Sequence, residues 1–182
     1  MTASWDDQVK KDIGSVLIKA RSIQRRVREL AGLITQDYQG RKPHVIAILK
    51  GAAIFHADLV RSVNLAVSID FMAVESYGNS TRTSGEVRIL KDLDESIKGK
   101  DVLLVEDIVD TGLTLQYLMK NLTARAPRSM KVVSLLNKPS RRALEIRANY
   151  VGFDIPDRFV VGYGLDLNGR YRNLPDIWAL KS

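Results

Sequence analysis

Thirteen consecutive residues, Val102-Leu-Leu-Val-Glu-Asp-Ile-Val-Asp-Thr-Gly-Leu-Thr114, concentrate the chemistry-bearing groups of this chain. Val102 to Val105 is wholly apolar and reads as a strand buried on both faces of a parallel sheet. Two adjacent carboxylates, Glu106 and Asp107, stand where that strand is expected to end. Asp110-Thr111-Gly112-Leu113-Thr114 then reads as a tight turn into a helix carrying Leu115, Leu118, Met119 and Leu122. A loop of this kind opening a helix makes an anion cradle, because the first-turn amides have no partner inside the helix. Thr111, Gly112 and Thr114 are the candidate phosphate donors, and Gly112 lets the backbone approach closely. The acids are the unusual addition. Carboxylates repel phosphate, so they make sense if they grip hydroxyls or a metal ion on the same ligand, such as a ribose carrying a 5′-phosphate.

Around this run, the elements that must position it alternate. Ile13 to Ile18 reads as a short strand, and Ser22 as the N-cap of a helix with Ile23, Val27, Leu30 and Ile34 on one face. That helix is expected to end near Tyr38-Gln39-Gly40. Val45 to Leu49 is a strand leading into Lys50-Gly51 and a second helix through Phe55, Leu59 and Val60. Val67 to Val74, Val87 to Leu90, Lys131 to Leu136 and Phe159 to Tyr163 read as further strands. Alternation of this kind predicts an α/β fold: a doubly wound, mostly parallel central sheet flanked by helices. The chain ends are expected to form a small hood subdomain over the carboxyl edge of the sheet, where such folds bind ligands.

The 182 residues fit one domain, 1–182, with no repeat, low-complexity tract or linker. Hydrophobic residues at 45% and charged residues at 27% mark an ordinary soluble globular chain. Cysteine is absent, which removes disulfides and thiolate metal sites and fits a reducing cytoplasm. Met1 to Asp7 is polar and acidic, so no signal peptide is visible, and no apolar run approaches a membrane span. The net charge of +7, with Arg21, Arg25, Arg26 and Arg28 clustered, permits a nucleic-acid surface. The simpler reading is a solvated helix face on a protein whose substrates are polyanions, which positive potential attracts.

The central run resembles the phosphoribosyl-diphosphate-binding motif of the type I phosphoribosyltransferases, in its hypoxanthine-guanine form Val-Glu-Asp-Ile-Val-Asp-Thr-Gly. Both carboxylates are in register, and four further local resemblances follow in the family's order from about Lys50 to Arg172. The resemblance implies roles. Asp110 matches the aspartate beside purine N7 that exchanges a proton there, where bond formation at N9 builds positive charge on the base. Without the family context, an aspartate in a turn is often only a cap. Glu106 and Asp107 match acids that hold the ribose 2′ and 3′ hydroxyls, directly or through magnesium, which takes one or two carboxylates plus substrate oxygens.

Lys50-Gly51 matches the diphosphate loop, in which a non-proline cis peptide often precedes the lysine. Ser76-Tyr77 and the polar stretch to Gly85 look like the family's mobile lid. This stretch buries little apolar area, and closure over an oxocarbenium-like state serves to exclude water. Lys138 matches a donor to purine O6, which selects 6-oxopurines against adenine. Phe159 matches an aromatic stacked on the base, and Val160 a backbone contact at its 2-position. Asp166 matches an aspartate reaching a second magnesium or that edge, and Arg172 an arginine near the diphosphate.

Glu75 stands where a lysine is common, and Asn137-Lys138-Pro139 varies around the key lysine. These departures bear on substrate preference more than on reaction type. The activity implied is transfer of 5-phosphoribosyl from phosphoribosyl diphosphate to N9 of hypoxanthine or guanine, by a homodimer or homotetramer. Action on xanthine, uracil or orotate, or a nucleic-acid-binding regulator keeping the fold, are the rival readings. Retention of Asp110 favours chemistry.

Overall fold

The computed structural model describes residues 7–76 and 87–181. Helix α1 (Asp7–Asp12) leads into strand β1 (Ile13–Ile18), helix α2 (Ala20–Asp37), β2 (His44–Leu49), α3 (Ala53–Ser62) and β3 (Ser68–Ser76). Then come β4 (Val87–Lys91), β5 (Asp101–Val109), α4 (Leu113–Thr123) and β6 (Ser129–Asn137). A 3₁₀ turn at Pro139–Arg141 precedes β7 (Tyr150–Asp154), β8 (Val160–Val161) and β9 (Ile177–Leu180).

Six strands form the main sheet in the order β4-β3-β2-β5-β6-β7, parallel throughout except for β4. The apolar run of β5 lies at its centre, with Val102, Leu103, Leu104 and Val105 each at 0% exposure. Strand alternation sends Leu103 and Val105 to one face, where α2 and α3 cover them with Ile23, Val27, Leu30, Phe55 and Leu59. Val102 and Leu104 face the other side, against Leu115, Leu118 and Leu122 of α4. Helices on both faces explain why this strand carries no polar alternation. From β2 the chain crosses to β3, while from β5 it crosses the opposite way to β6. The crevice between the carboxyl ends of β2 and β5 is therefore the topological switch point.

Both chain ends build the hood. A three-stranded antiparallel sheet, β1-β9-β8, packs Ile13, Val161, Tyr171 and Leu174 into a small core of its own. The last strand is thus β9, and both β7 and β9 lack a clear signature in the sequence. Phe159 precedes the two-residue β8 and stands 56% exposed, so the expected strand Phe159 to Tyr163 shrinks to its two central valines.

Ser22 is not the N-cap of α2. The helix starts at Ala20 after the extended Lys19, and the Ser22 amide already bonds to the Lys19 carbonyl at 2.8 Å. The acceptor that sequence neighbours would supply comes instead from the hood, where Asp176 Oδ1 takes the Ala20 amide at 2.6 Å. One carboxylate therefore caps α2 and ties it to the approach to β9. Replacing Asp176 with Ala is expected to cost about 1 kcal/mol, a fall of roughly 2–4 °C in Tm for a chain of this size. Ser22→Ala should leave Tm unchanged, and thermal denaturation of both variants checks the assignment.

Candidate active site

β5 does not stop at the acids. It continues to Val109, because Glu106, Ile108 and Val109 pair with Ser134, Leu136 and Asn137 of β6. The expected strand end at Glu106 is thus overturned: ladder bonding to a buried neighbour outweighs the poor strand preference of two carboxylates. Asp110, Thr111 and Gly112 then turn the chain into α4. Gly112 is the residue before the helix and has φ +90°, a conformation that favours glycine. A side chain there would also meet the Ile146 methyl at 2.7 Å. The Gly112 carbonyl accepts the Gln116 amide at 2.9 Å, so the amides before Gln116 have no carbonyl within α4 to bond. These residues face a cleft of about 410 Å³ lined by Gly51, Glu106, Asp107, Asp110, Thr111, Gly112, Thr114, Asp166 and Arg172, among others. That size suits a small polar ligand.

The acids carry the strongest electrostatic signal. Glu106 is 6% exposed, and burial first, then the neighbouring Asp107, hold its carboxyl well above the usual range. Burial likewise pushes Asp107 up to about 6, despite help from the Ile108 amide, its own amide and Arg172; Asp166 adds to the rise. Asp107 Oδ1 accepts the Ile108 amide at 2.8 Å. Its other oxygen lies against Gly51, where a β-carbon would stand only 1.6 Å away. Leu49 and Gly51 therefore form the opposite wall of the cleft, and the Leu49–Lys50 peptide between them is cis.

On the hood side, Arg172 Nη2 lies 2.7 Å from Asp166 Oδ1, and Nη1 donates to the Gly164 carbonyl at 2.6 Å. Among the described residues no three His, Asp or Glu side chains form a ready-made metal cage. A site of two or three carboxylates fits a hard dication that completes its shell with substrate oxygens and water, and raised carboxyls are what such a cation would relieve.

Asp110 sits at the rim in a cluster of four charges. Lys138, only 7% exposed, places Nζ 3.6 Å from Asp110 Oδ2 and 3.8 Å from Asp157 Oδ1. Arg141 Nε donates to Asp110 Oδ1 at 3.2 Å, and its Nη1 lies 3.6 Å from Asp157 Oδ2. The Lys138 amide bonds to the Val109 carbonyl at 3.0 Å, which sets the end of β6 beside the end of β5. Sequence reading missed Arg141 and Asp157. A basic residue three positions after the motif lysine was a usable signal for Arg141, but nothing local marks Asp157.

Most of the sequence-predicted site converges here. Gly51, Glu106, Asp107, Asp110, Thr111, Gly112, Thr114, Asp166 and Arg172 share the cleft, and Lys138 reaches it through Asp110. Lys50 is exposed at the wall, while Val160 is buried beside the exposed Phe159, and none of the three lines the cleft. Ser76 ends β3, whose Val74 does line it. Tyr77 and the lid stretch to Gly85 lie outside the described residues.

A doubly wound sheet with an open helix N-terminus and carboxylates at its switch point has the chemistry to receive a sugar phosphate. The comparisons agree. A family model described as a phosphoribosyl transferase domain matches residues 17–168, and the chain belongs to that family. The hypoxanthine-guanine phosphoribosyltransferase of Bacillus subtilis (strain 168) is 53% identical over 173 residues, covering 95% of this chain and 96% of that one. A crystal structure of a hypoxanthine phosphoribosyltransferase from Staphylococcus aureus superposes with TM-score 0.93 at 46% identity, covering 100% and 97% of the two chains. One of a hypoxanthine-guanine phosphoribosyltransferase from Bacillus anthracis, with a HEPES molecule in the active site, gives 0.89 at 47%, covering 93% and 99%.

The raised acids make a pH prediction. A carboxyl raised in the folded chain contributes stability that is full below its ordinary value near 4 and lost as pH rises through the folded value, about 6 for Asp107. Asp107→Asn should therefore stabilise the ligand-free protein at pH 8, by about 1–2 kcal/mol, and leave it unchanged at pH 4. Denaturant unfolding at both pH values, without divalent cations, checks this.

Proposed function

We infer that this chain is a 6-oxopurine phosphoribosyltransferase. It transfers 5-phosphoribosyl from phosphoribosyl diphosphate to N9 of hypoxanthine or guanine and releases diphosphate, a purine-salvage reaction. One observation carries the choice of base: Asp110 and Lys138 stand 3.6 Å apart at the lip of the anion cradle. N7 and O6 are neighbours on one edge of a 6-oxopurine. An acceptor and a donor side by side match that edge when N7 carries hydrogen, whereas adenine would set its own amine against the lysine.

In this reading, the amides of Thr111 to Thr114 and the positive end of α4 hold the 5′-phosphate. Glu106 and Asp107 hold the ribose hydroxyls, and Lys50-Gly51 with Arg172 receive the diphosphate. Phe159 lies over the base, Val160 offers backbone to its 2-position, and Ser76-Tyr77 opens the lid. N9 bonds to C1′ as the C1′–oxygen bond breaks, its electron pair leaving with the diphosphate. Asp110 takes the proton from the base. Glu106 and Asp107 would hold one magnesium and Asp166 a second, each together with substrate oxygens, and the ions would neutralise the diphosphate charge. We place this single-domain enzyme in the cytoplasm as a homodimer or homotetramer with no nucleic-acid or membrane partner.

The deciding assay combines purified protein, magnesium and phosphoribosyl diphosphate with hypoxanthine, guanine, xanthine, adenine, uracil or orotate. Nucleotide should form with the first two. Product with uracil or orotate alone, or with none, sinks the reading. Asp110→Asn should lower turnover by orders of magnitude with little change in phosphoribosyl diphosphate affinity. Lys138→Ala should instead raise the Michaelis constant for hypoxanthine far more than that for phosphoribosyl diphosphate. Steady-state kinetics in both substrates separates the two roles.

A further inference from the structure

Gly162, Tyr163 and Gly164, which follow β8, have φ of 101°, 49° and 103°. Three successive left-handed residues turn the chain sharply, and of these only Tyr163 carries a side chain. A β-carbon in that region costs on the order of 1 kcal/mol, so the surroundings must hold it. Tyr163 is 6% exposed, and its hydroxyl donates to Asp58 Oδ2 at 2.7 Å. Burial and this carboxylate push the phenol up, which keeps it a donor.

Asp58 belongs to α3, the helix that opens just after Lys50-Gly51, and its other oxygen accepts from Arg61 at 2.6 Å. The next residue of the turn meets the loop itself. A β-carbon on Gly164 would stand 2.1 Å from the Gly51 carbonyl oxygen, so the two backbones are in direct contact. The turn thus grips the segment 51–58 at both ends, by backbone at Gly51 and by side chain at Asp58. Tyr163 and Asp58 are both absent from the cleft lining.

We propose that Tyr163 is a positioning residue for the diphosphate loop: its bond to Asp58 clamps the turn after β8 onto Gly51 and fixes Lys50-Gly51 against the hood. The proposal rests on reading Lys50-Gly51 as the diphosphate loop. Gly51 otherwise packs against the Asp107 carboxylate, so a loosened turn removes one of the two contacts that confine the loop. A loop fixed in advance loses less freedom when diphosphate binds, and the clamp therefore acts on that ligand more than on the base.

Tyr163→Phe removes the hydroxyl and keeps the ring. The Michaelis constant for phosphoribosyl diphosphate and the calorimetric Kd for inorganic diphosphate should rise roughly three- to tenfold, while that for hypoxanthine stays within about twofold. Asp58→Ala should reproduce the rise, and the double variant should be no worse than either single one, since both remove the same bond. A merely structural bond would lower Tm and raise both Michaelis constants together. That parallel rise, additive effects or an unchanged diphosphate Kd overturns the proposal. Turnover by the native chain with unaffected variants removes the clamp alone; no turnover by the native chain removes the broader reading with it.

Discussion

The burial of Glu106 and Asp107 at the end of β5, with Asp107 against Gly51, is the constraint around which the molecule is arranged. Neither carboxyl is comfortable: burial raises both, and Asp107 adds to the rise at Glu106. They are held in place by the strand that carries them. Val102 to Val105 are fully buried between β2 and β6, so the backbone cannot withdraw the acids without unpacking the core. The unfavourable charge is thus a cost to the fold that a cation and a hydroxyl-bearing ligand would relieve on binding. Departures from good local chemistry are expected where function requires them.

Topology explains why these acids meet their partners. Opposite crossovers from β2 and β5 leave a crevice at their carboxyl ends, and a loop follows each strand into it. Neither loop closes the site alone. The hood supplies Asp166 and Arg172, and Arg172 is itself pinned by the Gly164 carbonyl and Asp166. Residues more than one hundred positions apart, Gly51 and Gly164, touch because Gly164 has no β-carbon, while the missing β-carbon of Gly51 makes room for Asp107. A substitution at either glycine would therefore act on both walls.

The sequence was legible where chemistry is local. The run from Val102 to Thr114 encodes strand, acids, turn and helix in consecutive residues, and the structure keeps them together in one cleft. Periodicity likewise placed α2 and the central strands. It failed where a partner lies far along the chain. Asp176 caps α2 across 156 positions, which no cap rule at Ser22 could anticipate. β5 runs on to Val109 because β6 offers a ladder, a fact of pairing rather than of residue preference. Asp157 joins Lys138 and Arg141 only after β7 has been laid beside β6.

The basic balance of the chain takes its meaning from the same geometry. A surface built to bind a nucleic-acid backbone needs guanidinium groups free to meet successive phosphates. On α2, Arg26 donates to the carbonyls of Val151 and Gly152 at 2.8 and 2.9 Å and pairs with Glu29 at 2.8 Å, which makes it a strut between helix and sheet. Arg25 leans on the same glutamate at 3.8 Å. Part of the cluster that suggested nucleic acid is therefore committed to the fold. What remains is a net +7 around a cleft floored by acids. Such a field draws polyanions inward over long range, while carboxylates at close range disfavour a bare anion. On the proposed reading, attraction at a distance and rejection at contact together would favour a metal-bound sugar diphosphate over bare phosphate.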